Sequence, residues 1–79
     1  MGGETRMMFG QLIKRATFQG DIKLTLWKDG EVVDEKIISG TEDLKHAPGL
    51  GLWAWLYPVY IFAAPDGFLH FDFEVDYKP

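Results

Sequence analysis

The chain has 79 residues and a mass of 9.0 kDa, which leaves room for one folded domain with one hydrophobic core. Hydrophobic residues make up 47% and charged residues 25% of it, a composition typical of a globular domain and not of a disordered chain. The absence of cysteine excludes disulfides, thiolate metal sites and thiol nucleophiles. A net charge of −4 is the wrong sign for neutralising phosphates, so we expect neither nucleic acid nor a membrane as a partner.

We expect no export signal or lipid anchor in the first residues of this sequence. Residues 1–6 lack the apolar core of a signal peptide, and Arg6 stands where the myristoylation pattern needs serine or threonine. We expect these residues to be a disordered leader or a remnant of expression, followed by a single β-rich domain over residues 7–79. An uncharged stretch at 47–65 approaches the length of a membrane span, but prolines and glycines interrupt it. The sequence therefore predicts a soluble, cytoplasmic protein.

Further along, residues 8–18 are interpreted as a strand of poorly defined register. A first hairpin is then predicted around Asp29-Gly30, because apolar and polar residues alternate before this type I′ turn signal. The expected facing pairs are Lys28 with Glu31, Leu26 with Val33, and Ile22 with Ile37. This register places Glu35 on the same face as Leu24, which indicates an edge strand or a shifted register.

Between the hairpins, Ser39-Gly40-Thr41-Glu42 matches a capping box and predicts a short helical turn over residues 42–46. A second hairpin is predicted at Ala64-Pro65-Asp66-Gly67, a type I turn followed by a glycine bulge that pairs Ala64 with Phe68. Its expected core-face residues are Tyr57, Val59, Ile61 and Ala63, facing Val75, Phe73, Phe71 and Leu69. Its other face is expected to pair Phe62 with His70, Tyr60 with Asp72, and Pro58 with Glu74.

These elements predict an all-β or β-dominated domain: about five mostly antiparallel strands with two Asp-Gly hairpins and one short helical turn. Turn signals recur at intervals of roughly ten residues, which favours a small sheet, a sandwich or an open barrel.

Residues able to perform catalysis are few. The chain has one serine and two histidines, and Ser39 is accounted for as a helix cap. An acidic face is formed by His70, Asp72, Glu74 and Asp76, which recur at every second position. Same-face neighbours on a strand lie about 7 Å apart, too far to share one cation. We therefore expect a solvated acidic face, with no catalytic residues, no metal and no cofactor.

Residues 52–62 are apolar on both alternating faces, which a strand covered on one side does not require. The candidate ligand or interface residues are Trp53, Trp55, Tyr57, Tyr60 and Phe62. A chain this short has few other residues with which to bury both faces of this strand, so the simplest way to bury the second face is against another copy of the chain.

Three hypotheses follow. The leading one is a non-enzymatic module of unassigned role that forms a homodimer through the aromatic strand. The second is a small-molecule binding protein whose aromatic residues line a pocket for an apolar or cationic ligand. The third is an inhibitor or adaptor that offers Asp72, Glu74 and Asp76 to a basic partner.

Overall fold

The computed structural model describes residues 7–15, 21–39 and 50–77. Their elements, in chain order, are helix α1 (Phe9–Arg15), strand β1 (Ile22–Lys28), strand β2 (Glu31–Ile38), a 3₁₀ helix (Gly51–Trp55), strand β3 (Pro58–Ala63) and strand β4 (Leu69–Glu74). The β-dominated fold expected from the sequence is confirmed, although this part of the chain has four strands and not five. The helical turn predicted at 42–46 lies outside the described residues.

The strands form one mixed sheet in the order β2-β1-β4-β3. Each of the hairpins β1-β2 and β3-β4 is antiparallel, and β1 pairs with β4 in parallel. Strands β1 and β4, the first and last of the described strands, therefore lie side by side in the centre. Strands β2 and β3 form the two edges of the described sheet.

The prediction of a strand at residues 8–18 is wrong, because Phe9–Arg15 is helical. The N-terminus of helix α1 resembles half of a capping box, since the Met8 backbone N–H donates to the Gln11 Oε1 atom at 3.0 Å. Phe9 and Ile13, four residues apart, are both buried, so one stripe of the helix faces the sheet. The helical period fits the apolar residues better than strand alternation does.

The first hairpin has the predicted turn and a different register. Asp29 and Gly30 have φ angles of 53° and 81°, as a type I′ turn requires, and Lys28 pairs with Glu31. A bulge between Leu26 and Trp27 then shifts the pairing, so Ile22 faces Ile38 and not Ile37. The shift buries Ile38 and carries Glu35 to the solvent side, where its carboxylate lies 3.6 Å from the ammonium of Lys23.

The second hairpin follows the prediction over most of its length. The Ala64 N–H donates to the Phe68 carbonyl at 3.2 Å, and the predicted pairs of Ile61, Phe62 and Tyr60 with β4 are confirmed. Beyond Tyr60 the ladder is irregular, so Pro58 pairs with Phe73 and not with Glu74. The predicted pairing of Val59 with Phe73 is therefore also wrong.

The core lies between the sheet and the two short helices. Its buried hydrophobic members are Phe9, Ile13, Ile22, Leu24, Ile38, Leu50, Trp53, Phe71 and Phe73. The Phe9 ring meets Phe71 and Phe73 edge-on, with centroids 5.1 and 5.7 Å apart. We call the sheet face against the helices the inner face, and the opposite one the outer face.

Candidate functional site

The aromatic segment predicted as one strand is divided between two elements. Trp53 and Trp55 lie in the 3₁₀ helix, and the strand begins only at Pro58. The Leu50 carbonyl accepts from the Trp53 N–H at 2.9 Å, which closes a helical turn in place of an extended chain. The strand expected over residues 52–62 therefore begins only after both tryptophans.

The two tryptophans have opposite environments. Trp53 is buried and packs edge-on against Phe73, with ring centroids 5.3 Å apart, whereas Trp55 is 68% exposed. Trp53 thus belongs to the core and is not accessible to a partner. Tyr57 is half-buried in the segment that leads from the 3₁₀ helix into β3.

Strand β3 carries exposed apolar side chains on both of its faces. Tyr60 and Phe62 pair with outward-facing residues of β4 and lie on the outer face, where they are 67% and 43% exposed. Ile61 points to the inner face but is still 44% exposed, because the helical layer does not cover this edge of the sheet. These three consecutive residues form what we call the β3 edge.

The two edges of the sheet differ in charge. Strand β2 has four charged residues among its eight, namely Glu31, Asp34, Glu35 and Lys36. Strand β3, with the sequence PVYIFA, has none. Charged side chains on an edge strand discourage pairing with other chains, so β2 is protected and β3 is open.

The backbone of strand β3 also has N–H and C=O groups directed away from the sheet. Antiparallel pairs alternate between hydrogen-bonded and non-hydrogen-bonded, and the Ala64–Phe68 pair is hydrogen-bonded. Counting back along the ladder, Phe62 and Tyr60 direct their N–H and C=O groups toward β4. Ile61 and Ala63 therefore direct theirs toward solvent. Ile61 was predicted to be a core-face residue and not a contact residue; its position on an uncharged strand was the available signal of exposure.

The predicted acidic face is only partly assembled. His70, Asp72 and Glu74 lie on the outer face of β4, but the strand ends at Glu74, and Asp76 follows in a turn with a φ of 69°. The Nε2 atom of His70 lies 2.9 Å from the Asp66 carboxylate, and its ring stacks on Phe62 with centroids 4.9 Å apart. Within the described ranges, no group of three or more potential ligands gathers in a way that would hold a metal ion.

The Asp66 carboxylate organises the turn of the second hairpin. Its Oδ1 atom accepts the backbone N–H of Phe68 at 2.9 Å, and its Oδ2 atom contacts His70. The hydrogen bond from Phe68, and then that from His70, lower the pKa of Asp66 from its ordinary value. The turn is therefore better stabilised when this group is ionised.

The described residues line concave regions at two places. A groove of about 260 Å³ between α1 and the 3₁₀ helix is lined mainly by apolar residues, with Trp55 at its side. A wider, polar concavity of about 430 Å³ is lined by Trp27, Asp29, Glu74 and Asp76, among others. The structure does not bring the predicted pocket residues together: Trp53 is in the core, and Tyr60 lies on the opposite face of the sheet from Trp55.

Comparison with known proteins gives no match to a family model, a curated protein or a solved structure. Among the described helices, none has the length and apolar character needed to cross a membrane. What the fold and the site define is a small mixed-sheet domain with one charged edge and one uncharged, aromatic edge.

Proposed function

We propose that the protein is a non-enzymatic module that self-associates as a homodimer through strand β3. The observation that carries this proposal is the β3 edge: three consecutive large apolar side chains, Tyr60, Ile61 and Phe62, exposed on a strand without charge. Exposed apolar groups of this kind, concentrated at one place on a small domain, are typical of interaction sites.

Charge supports a second copy as the partner. Two chains that each carry −4 repel one another, so a contact surface between them must avoid placing carboxylates together. The β3 edge meets this condition because its nearest acidic neighbour on the sheet, Asp72, lies one strand further in. Self-association through β3 brings only neutral side chains into the contact.

The proposal is tested by light scattering after size-exclusion chromatography, over a concentration series from about 1 to 200 μM. We expect a shift from monomer mass to dimer mass. The substitution Tyr60→Lys is expected to weaken the dimer at least tenfold, because it places an ammonium group in the apolar contact. In the monomer this lysine faces Asp72 across the hairpin, so the fold is retained.

The matched control is Val32→Lys, which introduces the same group on the same outer face at the other edge, opposite Trp27 and not opposite another lysine. Val32 is 44% exposed, compared with 67% for Tyr60. The control should dimerise as the unaltered chain does. Monomer mass at every concentration, or equal weakening by both substitutions, would contradict a homodimer formed through β3.

A further inference from the structure

We infer that the dimer forms by edge-to-edge pairing, with β3 of one protomer hydrogen-bonded antiparallel to β3 of its partner. This inference rests on the proposed homodimer and specifies its geometry. The two four-stranded sheets would become one continuous sheet of eight strands, with β3 and its counterpart in the centre and the charged β2 strands at both ends. The open edge would then disappear from the assembly.

The backbone supplies the first argument. Ile61 and Ala63 direct their N–H and C=O groups away from β4, as derived from the hydrogen-bonded pair Ala64–Phe68. Outward groups at every second residue match the repeat of an antiparallel ladder. A second β3 strand, related by a two-fold axis, presents the same groups in the reverse direction and satisfies both sets.

The side chains fix the register. With the two-fold axis at Ile61, this residue exchanges its N–H and C=O with Ile61 of the partner subunit. Tyr60 then lies opposite Phe62 of the partner subunit, and the symmetric pair forms on the other side of the axis. Aromatic pairs across antiparallel strands stabilise the pairing more than alanine pairs do. The sequence Tyr-Ile-Phe is thus complementary to itself in this register.

Packing between outer faces is the main alternative, and charge argues against it. The outer face carries Lys23, Asp72 and Glu74 on the two central strands. A face-to-face dimer would remove these groups from water, whereas edge pairing leaves them solvated. Removing a charged group from water without a fitted counter-charge costs more free energy than a few apolar contacts return.

The expected contact is small. In this register five residues of each strand, 59–63, overlap, which places the contact among interfaces below about 1,200 Å² of total buried area, which are weak or transient. We therefore expect a dissociation constant of about 1–100 μM. Association of this strength responds measurably to the loss of one or two hydrogen bonds.

The test compares Ile61→Pro with Ile61→Thr by sedimentation equilibrium. Proline removes the outward N–H without removing a hydrogen bond of the β3-β4 hairpin, as is tolerated on edge strands. Threonine keeps that N–H and the branched shape. We expect Ile61→Pro to weaken dimerisation at least tenfold, and Ile61→Thr to weaken it by less than about threefold.

A measurement on the unaltered chain does not depend on the variants folding. Amide hydrogen exchange at high and low protein concentration should show slower exchange at Ile61 and Ala63 when the dimer is populated, with no change at Phe62. A dimer whose mass is unaffected by Ile61→Pro, or whose Ile61 and Ala63 amides show no dependence on concentration, would refute edge pairing and leave self-association intact. A chain that stays monomeric refutes both.

Discussion

At the scale of single residues, similar aromatic side chains reach opposite environments according to their place in the strand alternation. Phe71 and Phe73 are fully buried on the inner face, whereas Phe62 stacks on His70 on the outer face and remains 43% exposed. The difference arises because successive side chains of a strand point to opposite faces. Residue type alone does not separate core from contact surface in this chain.

Asp66 provides a prediction about pH at this scale. Because the pKa of Asp66 is lowered in the folded chain, its contribution to stability is present above the pKa of the unfolded chain, about 3.9, and is lost as pH falls through the folded value. Asp66→Ala should therefore destabilise the protein at pH 7, and the difference from the unaltered chain should shrink toward pH 3. Urea unfolding at a series of pH values measures this.

Asp66→Asn is the control for the hydrogen bond to Phe68, since an amide oxygen can still accept that N–H. We expect Asp66→Asn to lower the free energy of unfolding by less than Asp66→Ala does. In the unaltered folded chain, the carboxyl group of Asp66 should titrate at a lower pH than it does in a short peptide of residues 64–70. An alanine variant whose destabilisation is the same at pH 7 and pH 3 would contradict this account.

At the scale of elements, the helical layer depends on a close contact between α1 and the 3₁₀ helix. The Phe9 N–H donates to the Leu56 carbonyl at 2.8 Å, which gives one of the unpaired donors at the start of the helix a partner. A Cβ atom added at Gly10 would lie 3.0 Å from the Ala54 carbonyl oxygen and 3.1 Å from its Cβ. Glycine at this position therefore lets the two helices approach.

We predict that Gly10→Val destabilises the fold by about 1–3 kcal/mol, because a branched side chain at this contact forces the helices apart. Gly10→Ala should cost less, since the better helix propensity of alanine, about 1 kcal/mol, offsets part of the steric conflict. Thermal unfolding followed by circular dichroism compares the two. Equal melting temperatures for the valine variant and the unaltered chain would mean that the helices do not pack at this distance.

At the scale of the whole molecule, the two edges of the described sheet differ in charge, and its two faces differ in how far they are buried. The inner face is packed against helices, β2 is charged, and β3 is both uncharged and exposed. In a chain without cysteines, and of a size at which a single core gives limited stability, association is a general way to stabilise the fold. The proposed dimer would use the uncharged edge of the described sheet.

This charge asymmetry predicts the response to salt. The proposed contact across β3 contains no charged side chains, but each protomer has a net charge of −4, so the two protomers repel one another. Raising NaCl from about 20 to 500 mM screens that repulsion and should tighten the dimer by roughly threefold. Sedimentation equilibrium at both salt concentrations makes the comparison. A dimer that weakens with salt would instead indicate ion pairs across the contact.

The sequence by itself determined the two Asp-Gly turns, the pairing of the second hairpin near its turn and the alternation that buries Phe71 and Phe73. These features depend on neighbours a few residues apart, so local patterns predict them. The sequence also indicated that residues 52–62 contain more apolar surface than one strand face needs.

Only the tertiary structure decided which residues of that segment remain exposed. The bulge at Leu26 and the 3₁₀ helix at Trp53 arise because packing against a shared core outweighs weak local preferences. The strand order, with β1 parallel to β4, makes β3 an edge. Strand order depends on contacts between residues far apart in the chain, which no local pattern encodes, and it is this order that exposes Tyr60, Ile61 and Phe62 together.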